Sequence, residues 1–402
     1  MNKEKGLSKP FAEPESSQPV LSKGLGKTLL PSCLEKTPFL DSEFPHFLLM
    51  IIAMDALIKN LENGENLDPR QIEVAANMLL DVSVEDSKKE RLLLALSKKG
   101  ETPQEIAGFV EVFLEHAVDP AIESLDLEGP TLDVCGTGGD KLDLFNISTT
   151  SMFVAAAAGA IVVKHGNRGI TSKSGGADVL EALGIRIDLP AEGFRNCITK
   201  AGVGFLFAPN YHPAFKAVVQ VRKNLAAAGH RSIFNLIGPL LNPARPQCQL
   251  VGVADSSLCP SFAEILQRLG RESAWIVSGK APCGSTVDEV SLMGSTTICK
   301  SGSYQDLEDE IINPEDFGLR KALIEDLKGG DAKANAEILE NILSGKESGP
   351  KLDIVLLNAA AAIACAGLAD HMGDALETAR ETIASGAAIE RLRLLRDASK
   401  KS

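Results

Sequence analysis

The 402-residue sequence is short of the features that mark membrane, secreted and nucleic-acid-binding proteins. It has no long hydrophobic run: near its start Phe47 to Ala53 is apolar, but Met54 and Asp55 separate it from Ala56 to Ile58. That is too short and too interrupted to span a bilayer. Its 8 cysteines are scattered, with no Cys-x-x-Cys and no paired Cys/His spacing, so neither a disulfide framework nor a zinc site is expected. A reduced, cytoplasmic protein fits this usage. Positive charge is in deficit, 41 Lys and Arg against 54 Asp and Glu, giving a net charge of −13. Such a surface repels phosphate backbones and anionic membranes, so neither nucleic acid nor membrane is an expected partner. Residues 1–45 contain no arginine but several acids, which argues against an organellar presequence. They are rich in Pro, Ser and Lys without apolar periodicity, and read as a poorly ordered extension. No internal repeat and no low-complexity tract is present.

The rest is ordinary globular composition, 44% hydrophobic and 24% charged, in a chain long enough for two or three compact units. Over 46–120 the apolar residues recur at helical spacing, as in Ile72, Ala75, Ala76, Leu79 and again Ile106, Phe109, Val110, Phe113, Leu114. Thr102 before Pro103, with Glu105 in the first turn, is a helix start. Over 121–402 short β-branched runs alternate with helical stretches, which predicts an α/β domain with a central sheet flanked by helices. The predicted strands are Thr131 to Cys135, Ala160 to Lys164, Ile185 to Leu189, Gln249 to Ala254 and Ala274 to Ser278. The Gly/Ser-rich stretch Gly279 to Gly302 predicts a hairpin region on the same sheet. Helices are predicted at Ser148 to Ala158, Ala177 to Leu183, Pro213 to Ala226, Cys259 to Leu269, Lys333 to Leu343 and Lys351 to Ala366.

Four groups of residues could carry chemistry. Asp133-Val-Cys-Gly-Thr-Gly-Gly-Asp140 is a strand entering a glycine turn, followed by Asn146-Ile-Ser-Thr149 at a helix start. Glycines let a backbone approach an anion, and a helix start presents free N–H groups to it. Alone, such a turn is as well explained by an ordinary helix cap. It is followed, however, by Lys164-His-Gly-Asn-Arg168 and Thr171-Ser-Lys-Ser-Gly-Gly176, a second glycine- and hydroxyl-rich helix start. Between Asp143 and Asp178 there is no acid, while Lys164, Arg168 and Lys173 all fall there, a positive island suited to phosphate oxygens. The third feature is Arg222, placed by helical spacing on one face with Phe215, Val218 and Val219. It calls for a carboxylate, either inside the protein or on a ligand, or else its stem merely covers apolar surface while the charge snorkels to solvent. The fourth is Asp288-Glu289, which offers two hard oxygen ligands of the kind Mg²⁺ takes beside a pyrophosphate, or simply an exposed acidic turn. His165 and His212 are candidates for hydrogen bonding, and no Ser/His/Asp or Cys/His arrangement is recognisable.

Taken in order, Gly136-Thr-Gly-Gly-Asp140, Asn146-Ile-Ser-Thr149, Lys164-His-Gly-Asn-Arg168, Ser172-Lys-Ser-Gly175, Ala177-Asp-Val-Leu-Glu-Ala-Leu-Gly184 and Phe234-Asn-Leu-Ile-Gly-Pro-Leu-Leu-Asn-Pro243 closely resemble the anthranilate phosphoribosyltransferase family. The resemblance implies a small N-terminal all-α domain joined to a larger α/β domain of the nucleoside phosphorylase/phosphoribosyltransferase type, paired as a homodimer through the helical part. It implies transfer of the phosphoribosyl group of phosphoribosyl pyrophosphate (PRPP) to anthranilate, in tryptophan biosynthesis, with Mg²⁺. By that resemblance PRPP would be held by Gly136, Gly139, Asp140, Asn146, Ile147, Ser148, Thr149, Lys164, His165, Gly166, Asn167, Arg168, Gly169, Ile170, Thr171 and Ser172. Anthranilate would meet Gly136, Asn167 and Arg222. The metal would meet Ser148, Asp288 and Glu289. No residue is expected to act as general acid or base, Lys164 and Arg168 giving electrostatic support to the departing pyrophosphate. Leu144 and Gly176 depart from the family pattern, each removing a side-chain contact, and the segment between Arg222 and Arg231 is longer. A pyrimidine nucleoside phosphorylase and a nucleic-acid-binding relative of the same fold are the rival readings.

Overall fold

A computed structural model describes residues 46–140, 142–169, 173–303 and 309–401; of residues 46–52 and 283 it describes the backbone only. The expected extension over 1–45 lies outside the described residues. The chain opens with four helices, α1 (His46–Glu62), α2 (Pro69–Leu80), α3 (Asp86–Lys99) and α4 (Pro103–Glu115). Two of them start on reciprocal caps. Asp68 accepts from the N–H of Gln71 while its own N–H donates to the Gln71 side chain, both at 2.9 Å. Thr102 and Glu105 exchange the same pair of bonds ahead of Pro103, as that sequence predicts. The predicted apolar stripes of α2 and α4 are buried throughout.

The second part follows with β1 (Thr131–Gly136), α5 (Ile147–Ala157), β2 (Ile161–Gly166), α6 (Gly176–Ala182), α7 (Ala191–Ala201), β3 (Val203–Phe207), α8 (Ala208–Tyr211), α9 (Val219–Ala227), β4 (Cys248–Gly252), α10 (Cys259–Arg268) and β5 (Ser273–Lys280). Then come β6 (Thr286–Val287), β7 (Thr296–Gly302), β8 (Glu310–Ile312) and the helices α11 (Ala332–Leu343), α12 (Pro350–Cys365), α13 (Met372–Ala384) and α14 (Ala387–Lys400). The strands form one mixed sheet in the order β3-β2-β1-β4-β5-β7-β8, with β6 also on β5. The first five are parallel, while β6 and β7 pair antiparallel with β5, giving the hairpin region expected between Gly279 and Gly302.

Alternation along the strands serves two cores. Trp275 and Val277 of β5 face one, with α5 and α12, whereas Ala274 and Ile276 face the other, with α10. The second core is continuous with that of α1–α4, and it also takes in Val218, Val221 and Leu225 of the α9 region. The four helices reach the sheet through α10, which packs on α4 on one side and on β5 and β7 on the other.

Two sequence expectations are corrected. Ile185 to Leu189 is not a strand: Ile185, Ile187 and Leu189 alternate buried with exposed neighbours, but the segment pairs with no strand, and the Arg186 N–H donates to the Ser399 hydroxyl of α14 at 3.2 Å. Alternation there reflects one side lying on helices. The helix predicted from Pro213 is in two pieces, a 3-10 turn over Pro213–Val218 and then α9, so Val219 is 45% exposed while Val218 and Val221 are buried.

Candidate active site

In a parallel sheet whose order reverses on either side of one strand, ligands bind beyond the carboxyl ends at the reversal. Here β1 is followed in space by β2 on one side and β4 on the other, so the crevice opens after Gly136 and Gly252. A cavity of about 750 Å³ lies there.

Its first wall is the turn after β1. Gly138 and Gly139 take φ of 70° and 93°, which L side chains disfavour. The Gly138 N–H donates to Asp288 Oδ2 at 2.7 Å. Backbones approach closely at this point: a β-carbon on Gly252 would stand 1.7 Å from the Asp288 carbonyl oxygen. Asn146 stands at the N-cap position of α5 but spends its side chain elsewhere, its Nδ2 donating to the Ser174 carbonyl at 3.1 Å, which ties the first loop to the second.

The second wall follows β2. Asp178 Oδ2 accepts from the N–H groups of Gly169 (2.9 Å) and Gly175 (2.8 Å). Arg168 is turned toward Glu181, which it grips with both terminal nitrogens, and toward Asp178, and it lies over the Phe207 ring at 5.5 Å. Lys164 points inward from β2 and is 4% exposed; its ammonium donates to the Val134 carbonyl and to Ser148 Oγ at 3.4 Å.

Three carboxylates converge on the floor. Asp288 and Glu289 are only half-buried by exposure, yet protein surrounds them closely enough that burial raises both pKa values. Asp288 is pushed up to about 6 by that burial and by the Asp140 charge. Glu289 is raised well above its ordinary value by burial and by Asp288, with Lys164 and the Ser148 N–H pulling it part of the way back. Carboxylates held together at such a cost suit a bound cation. Among the described residues no three His, Cys, Asp or Glu side chains converge tightly enough to hold a metal by themselves. That fits Mg²⁺, which takes one or two carboxylates and completes its shell with water and phosphate oxygens.

The far wall is aromatic. His165 and His212 meet edge-on at 5.2 Å, His212 stacks on Phe215 at 5.2 Å, and Phe215 meets Phe234 at 5.6 Å. Arg222 lies over Phe234, its guanidinium carbon 5.2 Å from the ring centre. Much of this residue is exposed, yet desolvation alone lowers its pKa and no carboxylate raises it back. The internal ion pair left open by the sequence is therefore not made among the described residues. His165 is buried and its pKa is lowered to about 3, by burial first and then by His212 and Lys164; its Nε2 has no partner among the described residues.

Of the residues singled out in the sequence, Gly136, Gly139, Asp140, Asn146, Ile147, Ser148, His165, Gly166, Asn167, Arg168, Gly169, Arg222, Asp288 and Glu289 line this one cavity. Thr149 and Lys164 do not line it; they lie buried just behind its wall. Ile170, Thr171 and Ser172 fall outside the described residues. Helical spacing puts Phe215 on the face of Arg222, but the aromatic wall as a whole is not legible in the sequence, because His165, His212 and Phe234 belong to separate short segments. Gly176 has a local reason: a β-carbon there would come within 3.1 Å of Thr149 Oγ1. Leu144 lines the cavity and pairs with Lys328 across an isolated bridge.

Residues 128–389 match the α/β domain, and residues 55–117 the helical bundle domain, of a glycosyl transferase family. An anthranilate phosphoribosyltransferase of Salinibacter ruber is 42% identical over 353 residues, 87% of this chain and 99% of the relative. The chain belongs to the anthranilate phosphoribosyltransferase family. Among solved anthranilate phosphoribosyltransferase structures, that from Thermus thermophilus is 37% identical, with a TM-score of 0.77 over 86% of this chain and 99% of its own. One from Saccharomyces cerevisiae, in complex with PRPP and Mg, is 27% identical, with a TM-score of 0.75 over 87% of this chain and 99% of its own. The helical bundle domain and the α/β domain with a central sheet flanked by helices, implied by the resemblance, are thus both present in this chain.

Proposed function

We propose that this protein transfers the phosphoribosyl group of PRPP to the amine of anthranilate, giving N-(5-phosphoribosyl)anthranilate and pyrophosphate, a step of tryptophan biosynthesis. The observation that carries the assignment is one cavity with an anion-receptive wall of two glycine turns, an acidic floor, and an aromatic wall bearing an arginine that no carboxylate neutralises among the described residues. PRPP lies along the loops that follow β1 and β2, against Gly136 to Asp140 with Asn146 to Ser148, and against His165 to Gly169. Anthranilate lies against the aromatic wall, its carboxylate on Arg222 and its ring near Asn167 and Gly136.

The bond from ribose C1 to the pyrophosphate oxygen breaks as the bond from C1 to the anthranilate nitrogen forms, and the amine gives up a proton. Charge develops on both fragments, so positioning and electrostatic support govern the rate. The aromatic amine is neutral near pH 7 and needs no strong base to prepare it. Asp288, Glu289 and Ser148 would hold Mg²⁺, which would supply positive charge to the pyrophosphate when bound. Lys164 acts from behind the wall, keeping the Ser148 hydroxyl in place and balancing Glu289. Arg168 has five N–H donors, enough to keep Glu181 and still meet a phosphate oxygen.

The proposal extends to two working parts, 46–120 and 121–402, a homodimer joined through the helical part, and a cytoplasmic location. Among the described residues no helix is long and apolar enough to cross a membrane. Mixing the purified protein with anthranilate, PRPP and Mg²⁺ should quench anthranilate fluorescence. Base release from thymidine or uridine with phosphate, and no anthranilate turnover, would overturn the assignment in favour of a nucleoside phosphorylase. Sedimentation at micromolar concentration tests the dimer, a monomer being the contrary result.

A further inference from the structure

Helix α11 places no residue on the cavity wall, yet one of its side chains reaches the first glycine loop from behind. Asn335 is 3% exposed and uses both ends of its amide. Its Oδ1 accepts the N–H of Gly330 at 2.7 Å, and its Nδ2 donates to Asn146 Oδ1 at 2.8 Å. Asn146 in turn donates from Nδ2 to the Ser174 carbonyl at 3.1 Å. The direction of this relay is forced. A backbone N–H only donates, so the atom of Asn335 facing Gly330 must be its oxygen; its nitrogen then faces Asn146, which must offer oxygen to α11 and nitrogen to the loop. An amide nitrogen carries two hydrogens. Ser174 takes one, and the other is left for a ligand in the cavity that Asn146 lines.

We propose that Asn335 is a positioning residue that sets the polarity of Asn146, so that the start of α5 offers an anion an amide N–H rather than an amide oxygen. The inference rests on the reading that the anion is the diphosphate of PRPP. A reversed Asn146 would turn a partial negative charge on a phosphate oxygen and lose two hydrogen bonds at once. Nothing in the local sequence of α11 announces this, since Asn335 reads there as one more polar residue near a helix start.

Two substitutions separate polarity from packing. Asn335→Ala removes the relay and leaves Asn146 free to choose. Asn335→Asp is isosteric and still accepts from Gly330, but offers Asn146 a second acceptor and so draws its nitrogen away from the loop. The KM for PRPP should rise about tenfold or more in Asn335→Asp and about threefold in Asn335→Ala, with the KM for anthranilate held within about twofold. Mg²⁺-pyrophosphate binding by calorimetry supplies the second readout, in a cycle with Asn146→Ala: once Asn146 is gone, neither Asn335 change should weaken pyrophosphate further. The inference is overturned if Asn335→Asp matches the wild type, if Asn335→Ala is the worse of the two, if both KM values rise together, or if the cycle is additive. Should Asn335→Asp fail to fold, the cycle with Asn335→Ala decides alone. A wild-type protein that neither binds pyrophosphate nor consumes anthranilate would instead defeat the assigned reaction, a result distinct from any of these.

Discussion

Truncating Arg222 to alanine should cripple recognition of anthranilate while leaving the fold nearly untouched. In most proteins an arginine on a helix packed against the core has a carboxylate partner, and removing it leaves that partner's charge stranded. Here the guanidinium rests over Phe234 at 5.2 Å and no carboxylate among the described residues shifts its pKa, so none of these is left as a stranded charge. The cation–π contact at this exposed position contributes about 0.5–1 kcal/mol, which bounds the loss of stability and places the change in Tm within about 4 °C. A charge-assisted hydrogen bond to a ligand carboxylate contributes about 1.5–3 kcal/mol, or roughly 10- to 150-fold in apparent affinity. Arg222→Ala should therefore raise the KM for anthranilate by that factor and the KM for PRPP far less, read from anthranilate fluorescence with each substrate varied in turn. Arg222→Lys, which keeps the charge but loses the planar fork, should fall between. An equal rise in both KM values, or a Tm loss of ten degrees or more, would refute the reasoning.

Asp288→Asn together with Glu289→Gln should abolish Mg²⁺-dependent turnover across a metal titration, and unchanged rates would show that these acids only decorate the floor. His165 provides a pH signature. Its folded pKa of about 3 lies below the value of 6.5 it has in an unfolded chain, so below pH 6.5 the unfolded state binds a proton that the folded state refuses, and stability is lost as the pH is lowered. Between pH 7.5 and pH 5 the loss is about 2 kcal/mol. Urea unfolding should show that loss in the wild type beyond any seen in His165→Gln, and parallel pH profiles for the two proteins would contradict it. Asn358 holds both the N–H (2.8 Å) and the carbonyl (2.9 Å) of Val290, next to Glu289. Asn358→Leu orphans two buried backbone groups and should cost about 2–5 kcal/mol in urea unfolding, a loss under 1 kcal/mol being the contrary result.

The glycine turns were legible because positive φ leaves a compositional trace, and Gly138 and Gly139 adopt it. The caps at Thr102 and Pro103 were legible for the same reason, since local chemistry dictates them. Ile185 to Leu189 misled because alternation reports one-sided burial and not pairing. Lys164 sits in a basic motif, but the two-residue period of β2 sends it inward, so its charge acts from behind the wall, on Ser148, Glu289 and His165. The aromatic wall and the supports from Asn335 and Asn358 join segments distant in the chain, as with Asn335 and Asn146, 189 residues apart. No window of sequence contains such a relation.

The close approach at Gly252 has a consequence for how this protein can vary. With the Asp288 carbonyl oxygen 1.7 Å from where any β-carbon would stand, every one of the nineteen alternative residues must displace the backbone that carries the floor acids. The fourth strand and the acidic loop are thus locked together as one heritable unit. Drift in the neighbouring positions can reshape the crevice, but the seam between these two segments admits no side chain at all.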